Sequence, residues 1–415
     1  MGTSDPGSRL DRREFLRRGA LTGVGLGLLP LSPARSETEA EPPGVRRRVR
    51  LGRTGLELPD IGFGGSRLQG DEDLVRYALD RGITHFDTAE TYTGGASEAT
   101  IGRALKGVRD RVTIASKVKA GAIDSQARLM TALEGSLRRL RTDRIDLYFN
   151  HAVNDVERLQ NPEWPEFVHR ARQQGKIRFA GLSGHGGRLV ECLDHALDHD
   201  QIDVMLVAYN FGQDPRFFEK LTRSLDFVAR QPDLPRVMAR AKQKGVGVIA
   251  MKTLRGGRLN DMRPYESGGA TFSQAAFRWV LGGPNVDALV VTMKSRAMID
   301  EYLGASGWDG PRRADWPLLG RYEEIAAATQ CRYGCGDCAD ACPRGVPIAD
   351  VLRSRMYARD YRDPDLARDE YALLGAGAAP CLECADRPCD RACPHGLDIP
   401  RLTTDAHGVL ARRFA

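Results

Sequence analysis

Val112-Thr-Ile-Ala-Ser-Lys-Val118, Ser125-Gln-Ala-Arg-Leu-Met-Thr-Ala-Leu-Glu-Gly-Ser-Leu-Arg-Arg-Leu140 and Ile145-Asp-Leu-Tyr-Phe-Asn150 follow one another in the middle of the chain. The outer two runs are short, apolar and β-type, and the middle one has helical period. Strand, helix and strand in that order form a βαβ unit. Working outward, the same alternation continues in both directions. Ile61–Gly65 and Ile83–Asp87 read as earlier strands, with helices over Asp71–Arg81 and Ser97–Lys106. Ile177–Ser183, Val204–Tyr209, Val246–Met251 and Ala288–Met293 read as later strands. Helices are expected over Pro162–Gln174, Gly187–Asp198, Asp233–Lys244, Phe272–Leu281 and Ser295–Leu303. Eight βα units in about 260 residues predict an α/β fold, a (β/α)8 TIM barrel over 46–310. A doubly wound sheet also alternates, but no Gly-x-Gly-x-x-Gly opens the first helix.

The chain has 415 residues, 41% apolar and 28% charged, which suits two or three soluble domains and excludes a disordered or polytopic membrane protein. Of the net charge of +6, Met1–Ser36 contributes half, with six Arg against three acidic residues. The small excess that remains argues against nucleic acid as a partner. Nine cysteines are present; Cys192 stands alone inside a helix and reads as a core residue, and eight crowd between 331 and 393.

In a barrel of this type chemistry sits at the C-terminal ends of the strands. Strand two ends Phe86-Asp-Thr-Ala-Glu-Thr-Tyr92, strand three Ala115-Ser-Lys-Val118, and strand four Tyr148-Phe-Asn-His151. Asp87, Tyr92, Lys117 and His151 therefore converge. Residues 46 to about 306 resemble an aldo-keto reductase in these segments and in Gly181-Leu-Ser183, Tyr209-Asn210 and Gly245–Gly257. That family reduces carbonyls with NADPH. The resemblance implies Tyr92 as general acid, Lys117 as its activator, Asp87 as partner of Lys117 and His151 as an orienting group. Physically, a hydride-reduced carbonyl becomes an alkoxide that needs a proton, and a neighbouring ammonium is expected to lower a phenol's pKa toward that task.

For NADP(H) the resemblance implies Ser183 and Tyr209 at the nicotinamide, where Gly184 and Leu206 replace the family's Asn and Gln. Lys252, Thr253, Leu254 and Gly256 are expected on the cofactor after strand seven, and Lys294 and Ser295 after strand eight. His185 reads as a surface histidine at the mouth. The insertion Phe211–Pro232 and the segment Asn260–Thr271 are the expected sources of substrate selectivity, with Phe211, Phe217 and Phe218 either in a pocket or packed under the loop.

The eight C-terminal cysteines form two sets: Cys331, Cys335, Cys338, Cys342-Pro343, and Cys381, Cys384, Cys389, Cys393-Pro394. Each set of four closing in Cys-Pro resembles a bacterial two-cluster ferredoxin. The resemblance implies two [4Fe-4S] clusters, one on Cys331, Cys335, Cys338 and Cys393, the other on Cys381, Cys384, Cys389 and Cys342. Zinc and disulfides are the competing uses of such thiols. Ile348–Leu374 has helical periodicity, so 329–415 is expected to be a small helical ferredoxin-like domain.

Arg12-Arg13-Glu-Phe-Leu16, a twelve-residue apolar run from Ala20 and Ala34-Arg-Ser36 resemble a twin-arginine signal peptide over 1–36, followed by a linker over 37–45. A general secretory signal or uncleaved anchor is the competing reading. Twelve residues span roughly 18 Å, too few for a ~30 Å hydrocarbon core, so the mature chain is expected to lack a membrane span. Together these features predict a periplasmic or extracytoplasmic oxidoreductase with a small carbonyl or alcohol substrate and a redox partner protein. The alternative is an electron-transfer or binding protein whose barrel is a scaffold.

Overall fold

A short antiparallel hairpin, β1 (Arg48–Arg50) with β2 (Glu57–Pro59), pairs Val49 with Leu58 and puts Leu51, Leu56 and Leu58 under the barrel interior. The turn between the strands needs glycine. Gly52 has φ +46°, and a Cβ there would lie 2.4 Å from the Gly245 carbonyl oxygen. A computed structural model describes residues 43–411 other than 187, 215–232, 255–261, 270, 327–330, 332–336 and 360–363. The expected leader Met1–Ser36, Gly256, Phe217, Phe218 and Cys335 fall outside the described residues.

Eight parallel strands close on themselves: β3 (Ile61–Gly64), β4 (His85–Asp87), β5 (Thr113–Val118), β6 (Ile145–Asn150), β7 (Ile177–Gly184), β8 (Val204–Ala208), β9 (Gly247–Met251) and β10 (Ala288–Thr292). They neighbour one another in chain order, and β10 returns to β3 with Leu289 opposite Ile61. Each strand expected from the sequence is present. Every residue of β5 and β6 is buried, which explains why these runs read as continuous β-type segments rather than alternating ones.

Helices α1 (Glu72–Asp80), α2 (Ala96–Ala104), α3 (Gln126–Leu140), α4 (Glu163–Gln173), α5 (Leu189–Asp198), α6 (Asp233–Gln243), α7 (Phe272–Leu281) and α8 (Arg296–Leu303) follow the strands. Side chains close their N-termini: Asp71 accepts from the Leu74 N–H, Ser125 from Arg128, Thr271 from Gln274 and Ser295 from Met298. Cys192 is fully buried among Leu189, Leu193 and Val207, a core residue as its position suggested.

The barrel interior also encloses a histidine, on β4. Both ring nitrogens of His85 on β4 are buried and unbonded, and burial pushes its pKa down from 6.5 to about 4, with the Lys117 charge adding to the fall. The unfolded chain therefore binds a proton between pH 6.5 and 4 that the native chain refuses. Stability held above pH 6.5 is lost as pH falls to 4, by about 3 kcal/mol for this one group. Urea unfolding of His85→Phe and the parent at pH 7 and pH 4 should show a gap shifting by about that amount in favour of the variant at pH 4. A gap that does not move with pH refutes the assignment.

Beyond the barrel, α9 (Asp315–Ala326) lies against α7, past the end expected at 310. Its first residue, Asp315, forms a buried two-pronged pair with Arg278 of α7: Nε donates at 2.7 Å and Nη2 at 2.8 Å. Phe211 is buried against Phe272 and Tyr322, so it packs beneath its loop. The C-terminal segment then runs through α10 (Asp337–Asp340), α11 (Ile348–Arg359), α12 (Pro364–Ala372), α13 (Cys389–Ala392) and α14 (Ile399–Leu410). The helical periodicity read over 348–374 is carried by two helices, α11 and α12. Pro364 is the first residue of the second, a position where its missing N–H costs no helical bond.

The segment repeats itself. Short helix α10 carries Cys338, then come Cys342-Pro343, Gly345 at φ +60° and long helix α11; short helix α13 begins at Cys389, then come Cys393-Pro394, Gly396 at φ +65° and long helix α14. The turn bonds match: Gly345 N–H to Cys342 O and Gly396 N–H to Cys393 O, both 3.2 Å. Helix α10 packs on α13 and α11 on α14. No helix among the described residues is long and apolar enough to cross a membrane.

Candidate active site

Parallel strands in a closed barrel all deliver their last residues to one mouth. Asp87 ends β4, Lys117 lies near the end of β5, His151 follows β6, and Tyr92 opens a short turn after β4. Lys117 Nζ donates to Asp87 Oδ2 at 2.7 Å and to the Thr88 carbonyl at 2.6 Å. The same Nζ stands 4.8 Å from the centre of the Tyr92 ring, which His151 meets edge-on at 5.7 Å. Asp87 and Lys117 are almost wholly buried. The structure thus gathers the four residues expected to carry the chemistry.

Their electrostatics differ from the expectation in one respect. Burial holds the Tyr92 phenol above the ordinary value of 10; Lys117 opposes that rise, while Asp87 and Glu370 add to it. Lys117 lowers the phenol as expected, but burial outweighs it and the net direction is upward. Burial would strip Lys117 of its proton, but Asp87 and Tyr92 more than compensate and hold its pKa above the usual lysine value. Burial also raises Asp87, against Lys117. His151 is driven well below an ordinary histidine by burial, then by Lys117, Lys119, Arg158 and Lys252. It is a neutral imidazole whose Nδ1 is buried without a protein partner.

Tyr92 and Asp87 line a cavity of about 140 Å³ together with Lys252, Thr253 and Tyr357. A second cavity of about 530 Å³ adjoins it, bounded by Lys119, Arg158 and His185 from the barrel and by Tyr357 and Glu370 from α11 and α12. Tyr357 is common to both. Its hydroxyl accepts from Lys252 Nζ at 2.6 Å and lies 3.0 Å from His185 Nδ1. Glu370 reaches Lys119 Nζ at 3.4 Å and His185 Nε2 at 3.9 Å. His185 is therefore not a surface residue, since the C-terminal helices cover it. Sequence reasoning missed Tyr357 and Glu370 because they sit in the helical spacer between the cysteine sets. Only their placement on that spacer was visible.

The cofactor residues divide. Thr253 is buried with Oγ1 unbonded, facing the Tyr92 cavity. Lys252 adopts φ +54°, and its ammonium is engaged by Tyr357. Leu254 is partly buried against the core. Ser183 accepts from the Ala152 N–H at 3.1 Å, and Tyr209 lies on Trp279 with ring centres 5.1 Å apart. Burial pushes the Tyr209 phenol up to about 12. Lys294 is exposed, and Ser295 is occupied in capping α8. At Gly184 a Cβ would stand 2.4 Å from Leu189 Cδ1 and 2.8 Å from the Val153 carbonyl oxygen, so no larger side chain fits. Leu206 is buried inside the barrel.

In the C-terminal segment Cys342 of the first set lines one cleft with Cys381, Cys384 and Cys389 of the second, rimmed by Pro343, Pro380 and Pro388. Burial pushes Cys381 up, against a hydrogen bond with Thr403 and with help from Cys342 and Cys384, and burial with Cys342 and Cys381 does the same to Cys389. Cys331, Cys338 and Cys393 pack in the same small core, and all the described cysteines are free thiols. Among the described residues no three His, Cys, Asp or Glu side chains gather closely enough to hold a single metal ion.

Comparison with known proteins identifies the family. A family model described as the aldo/keto reductase family matches residues 60–267, half of the chain. L-galactose dehydrogenase of Arabidopsis thaliana is 26% identical over 295 residues, covering 61% of this chain and 86% of the relative. Aldo-keto reductase YhdN of Bacillus subtilis is 37% identical over 149 residues, 31% of this chain and 44% of that protein. An aldo-keto reductase of Klebsiella pneumoniae, solved in complex with NADPH, superposes with a TM-score of 0.51 at 27% identity over 66% of this chain and 94% of its own. The family match ends before the eight C-terminal cysteines begin.

Proposed function

This chain belongs to the aldo/keto reductase family and is an oxidoreductase; from that premise we propose that it interconverts a carbonyl compound and its alcohol at Tyr92, with NADP(H) in the barrel mouth and two [4Fe-4S] clusters on the C-terminal cysteines. The observation that carries the reading is the convergence of Tyr92, Lys117, Asp87 and neutral His151 on one cavity.

In the reduction, Tyr92 stays protonated through neutral pH and delivers its hydroxyl proton to the substrate oxygen as negative charge grows there. Lys117 is held charged by Asp87, so a phenolate left behind faces an ammonium rather than bare protein. His151, neutral, offers a ring N–H to the same oxygen without a competing charge. When bound, nicotinamide supplies or accepts the hydride.

The residues present fit that cofactor in part. The unbonded Thr253 hydroxyl faces the cavity and suits a polar ligand group. The nicotinamide amide finds fewer readers, because Gly184 has no room for a side chain, Leu206 is apolar and Ser183 already bonds Ala152. The reading therefore has the cofactor held mainly from the β9 side, by Lys252, Thr253 and Leu254.

For the clusters, the supporting observation is that Cys342 joins Cys381, Cys384 and Cys389 around one cleft, the crossed set that a two-cluster ferredoxin uses. Cys331, Cys335, Cys338 and Cys393 would hold the other. Bound clusters supply one-electron exchange with a partner protein. Export by the twin-arginine route, to a periplasmic or extracytoplasmic location, rests on Arg12-Arg13-Glu-Phe-Leu16 and suits a chain whose inorganic groups are inserted before it leaves the cytoplasm.

Anaerobic native purification tests the whole reading. The expected preparation is brown, with about eight iron and eight sulfide per chain and releasable NADP(H). A colourless, iron-free protein with zinc or paired thiols overturns the cluster assignment. A cluster-bearing protein that neither binds nicotinamide nor turns over an aldehyde leaves the barrel as a scaffold.

A further inference from the structure

We propose that Thr403 of α14 sets the two iron–sulfur sites apart in reduction potential. The cluster on Cys342, Cys381, Cys384 and Cys389 then takes up an electron before the one on Cys331, Cys335, Cys338 and Cys393. The inference rests on the reading of the eight cysteines as ligands of two clusters.

The two halves of the C-terminal segment match residue by residue. The Ile348 N–H donates to the Val346 carbonyl and the Ile399 N–H to that of Leu397, both at 2.8 Å. The Val351 N–H donates to the Pro347 carbonyl and the Leu402 N–H to that of Asp398, both at 3.0 Å. Each pair is as far apart in the chain as Cys342 is from Cys393, so one register runs through both Cys-Pro turns and into both long helices. In that register Thr403 of α14 is the counterpart of Leu352 of α11. Both side chains are buried, and only one of them has a proton to give.

Thr403 lines the cleft shared by Cys342, Cys381, Cys384 and Cys389, and its hydroxyl is hydrogen-bonded to the Cys381 thiol. The same hydroxyl donates to the Ile399 carbonyl one turn back, at 2.9 Å. A free thiol can give its own proton to the threonine oxygen, but a thiolate sulfur bound to iron can only accept. With a cluster in place the hydroxyl proton turns to Cys381 Sγ, and the Ile399 carbonyl keeps the N–H of its own helix. One-electron reduction of a cluster adds a negative charge and breaks no bond. A donor aimed at a ligand sulfur stabilises that charge and raises the potential.

Two further differences between the halves act in the same direction. Arg344 lines the Cys381 cleft, and its counterpart beside Cys393 is His395, which need not be charged. Asp337 is exposed beside Cys338, and its counterpart beside Cys389 is Pro388. A fixed cation near one set and a carboxylate near the other both favour the added electron on the first. The Cys381 cluster is therefore the one that fills first and empties last.

The experiment is a redox titration of the anaerobically purified full-length protein, with iron assayed and the reduced clusters followed by electron paramagnetic resonance. The wild type should show two separate one-electron steps. Thr403→Val should make the higher step about tenfold less favourable, a fall of about 59 mV for one electron, and leave the lower step in place. Thr403→Ser, which keeps the hydroxyl, should hold both steps where they are. Should Thr403→Val fail to fold, Leu352→Thr, which gives the other site a hydroxyl, must raise the lower step. An iron-loaded wild type with a single step, or a Thr403→Val protein with an unmoved higher step, overturns this inference alone. An iron-free wild type overturns the cluster reading and this inference with it.

Discussion

Tyr92→Phe is expected to lower kcat for carbonyl reduction by roughly 10²–10⁴ while leaving the melting temperature unmoved. The separation of the two effects follows from the geometry. Lys117 keeps its bonds to Asp87 and Thr88 when the phenol oxygen is removed, and the Tyr92 ring keeps its edge contact with His151. The proton and the phenol oxygen's interaction with Lys117 are what is lost. Lys117→Met should behave differently, because it strands Asp87 inside the barrel and ought to reduce stability as well as rate. The pH profile supplies a second reading of the same group. With burial holding the phenol above 10, reduction should stay flat through neutral pH and decline only on the far alkaline side. Alcohol oxidation, which needs the phenolate, should climb with pH over that range. A Tyr92→Phe enzyme with undiminished kcat, measured on the aldehyde with NADPH, would remove Tyr92 from the chemistry.

The largest structural effect is expected far from the mouth, at Asp315→Ala. Arg278 and Asp315 are 1% and 0% exposed in their side chains and share two hydrogen bonds, and the Arg312 N–H gives Asp315 a third at 2.7 Å. Burial would raise the Asp315 carboxyl, yet the Arg278 fork and the Arg312 N–H hold it below its usual value. Truncating the carboxylate leaves a guanidinium sealed between α7, α9 and the Trp308 ring, a loss of about 3–5 kcal/mol. Calorimetry should register a fall in Tm of roughly 5–10 °C. The double variant Arg278→Met/Asp315→Leu should recover most of it, since a matched apolar pair carries no uncompensated charge. If the double variant is as unstable as the single one, the loss is one of packing rather than of a stranded charge.

Much of this molecule was legible in one dimension. The eight strands were visible because burial on both faces makes each a short apolar run, and their ends were the right place to seek Asp87, Lys117 and His151 because a closed parallel barrel has one catalytic face. The C-terminal thiols were visible from short-range spacing alone. Other features were hidden. The periodicity of 348–374 did not divide that stretch into α11 and α12, although Pro364, the first residue of α12, was an available signal. His185 looked like a surface residue because nothing in its neighbourhood announces the helix that covers it. The direction of the Tyr92 shift was misjudged for the same reason: a nearby lysine can be read from strand ends, but the depth of enclosure cannot.

Period, spacing and strand-end position are local properties, and through them the amino-acid order alone determined a barrel, a polar tetrad at its mouth and two quartets of cysteine near the end of the chain. Tertiary packing decided that Tyr357 and Glu370 enter the mouth and that Gly184 leaves no space for an amide. Tyr357 and His185 stand 172 residues apart in the chain, and a contact at that separation has no periodic trace. It arises only when two independently formed surfaces, the strand ends and α11, are brought together and their buried polar groups must satisfy one another.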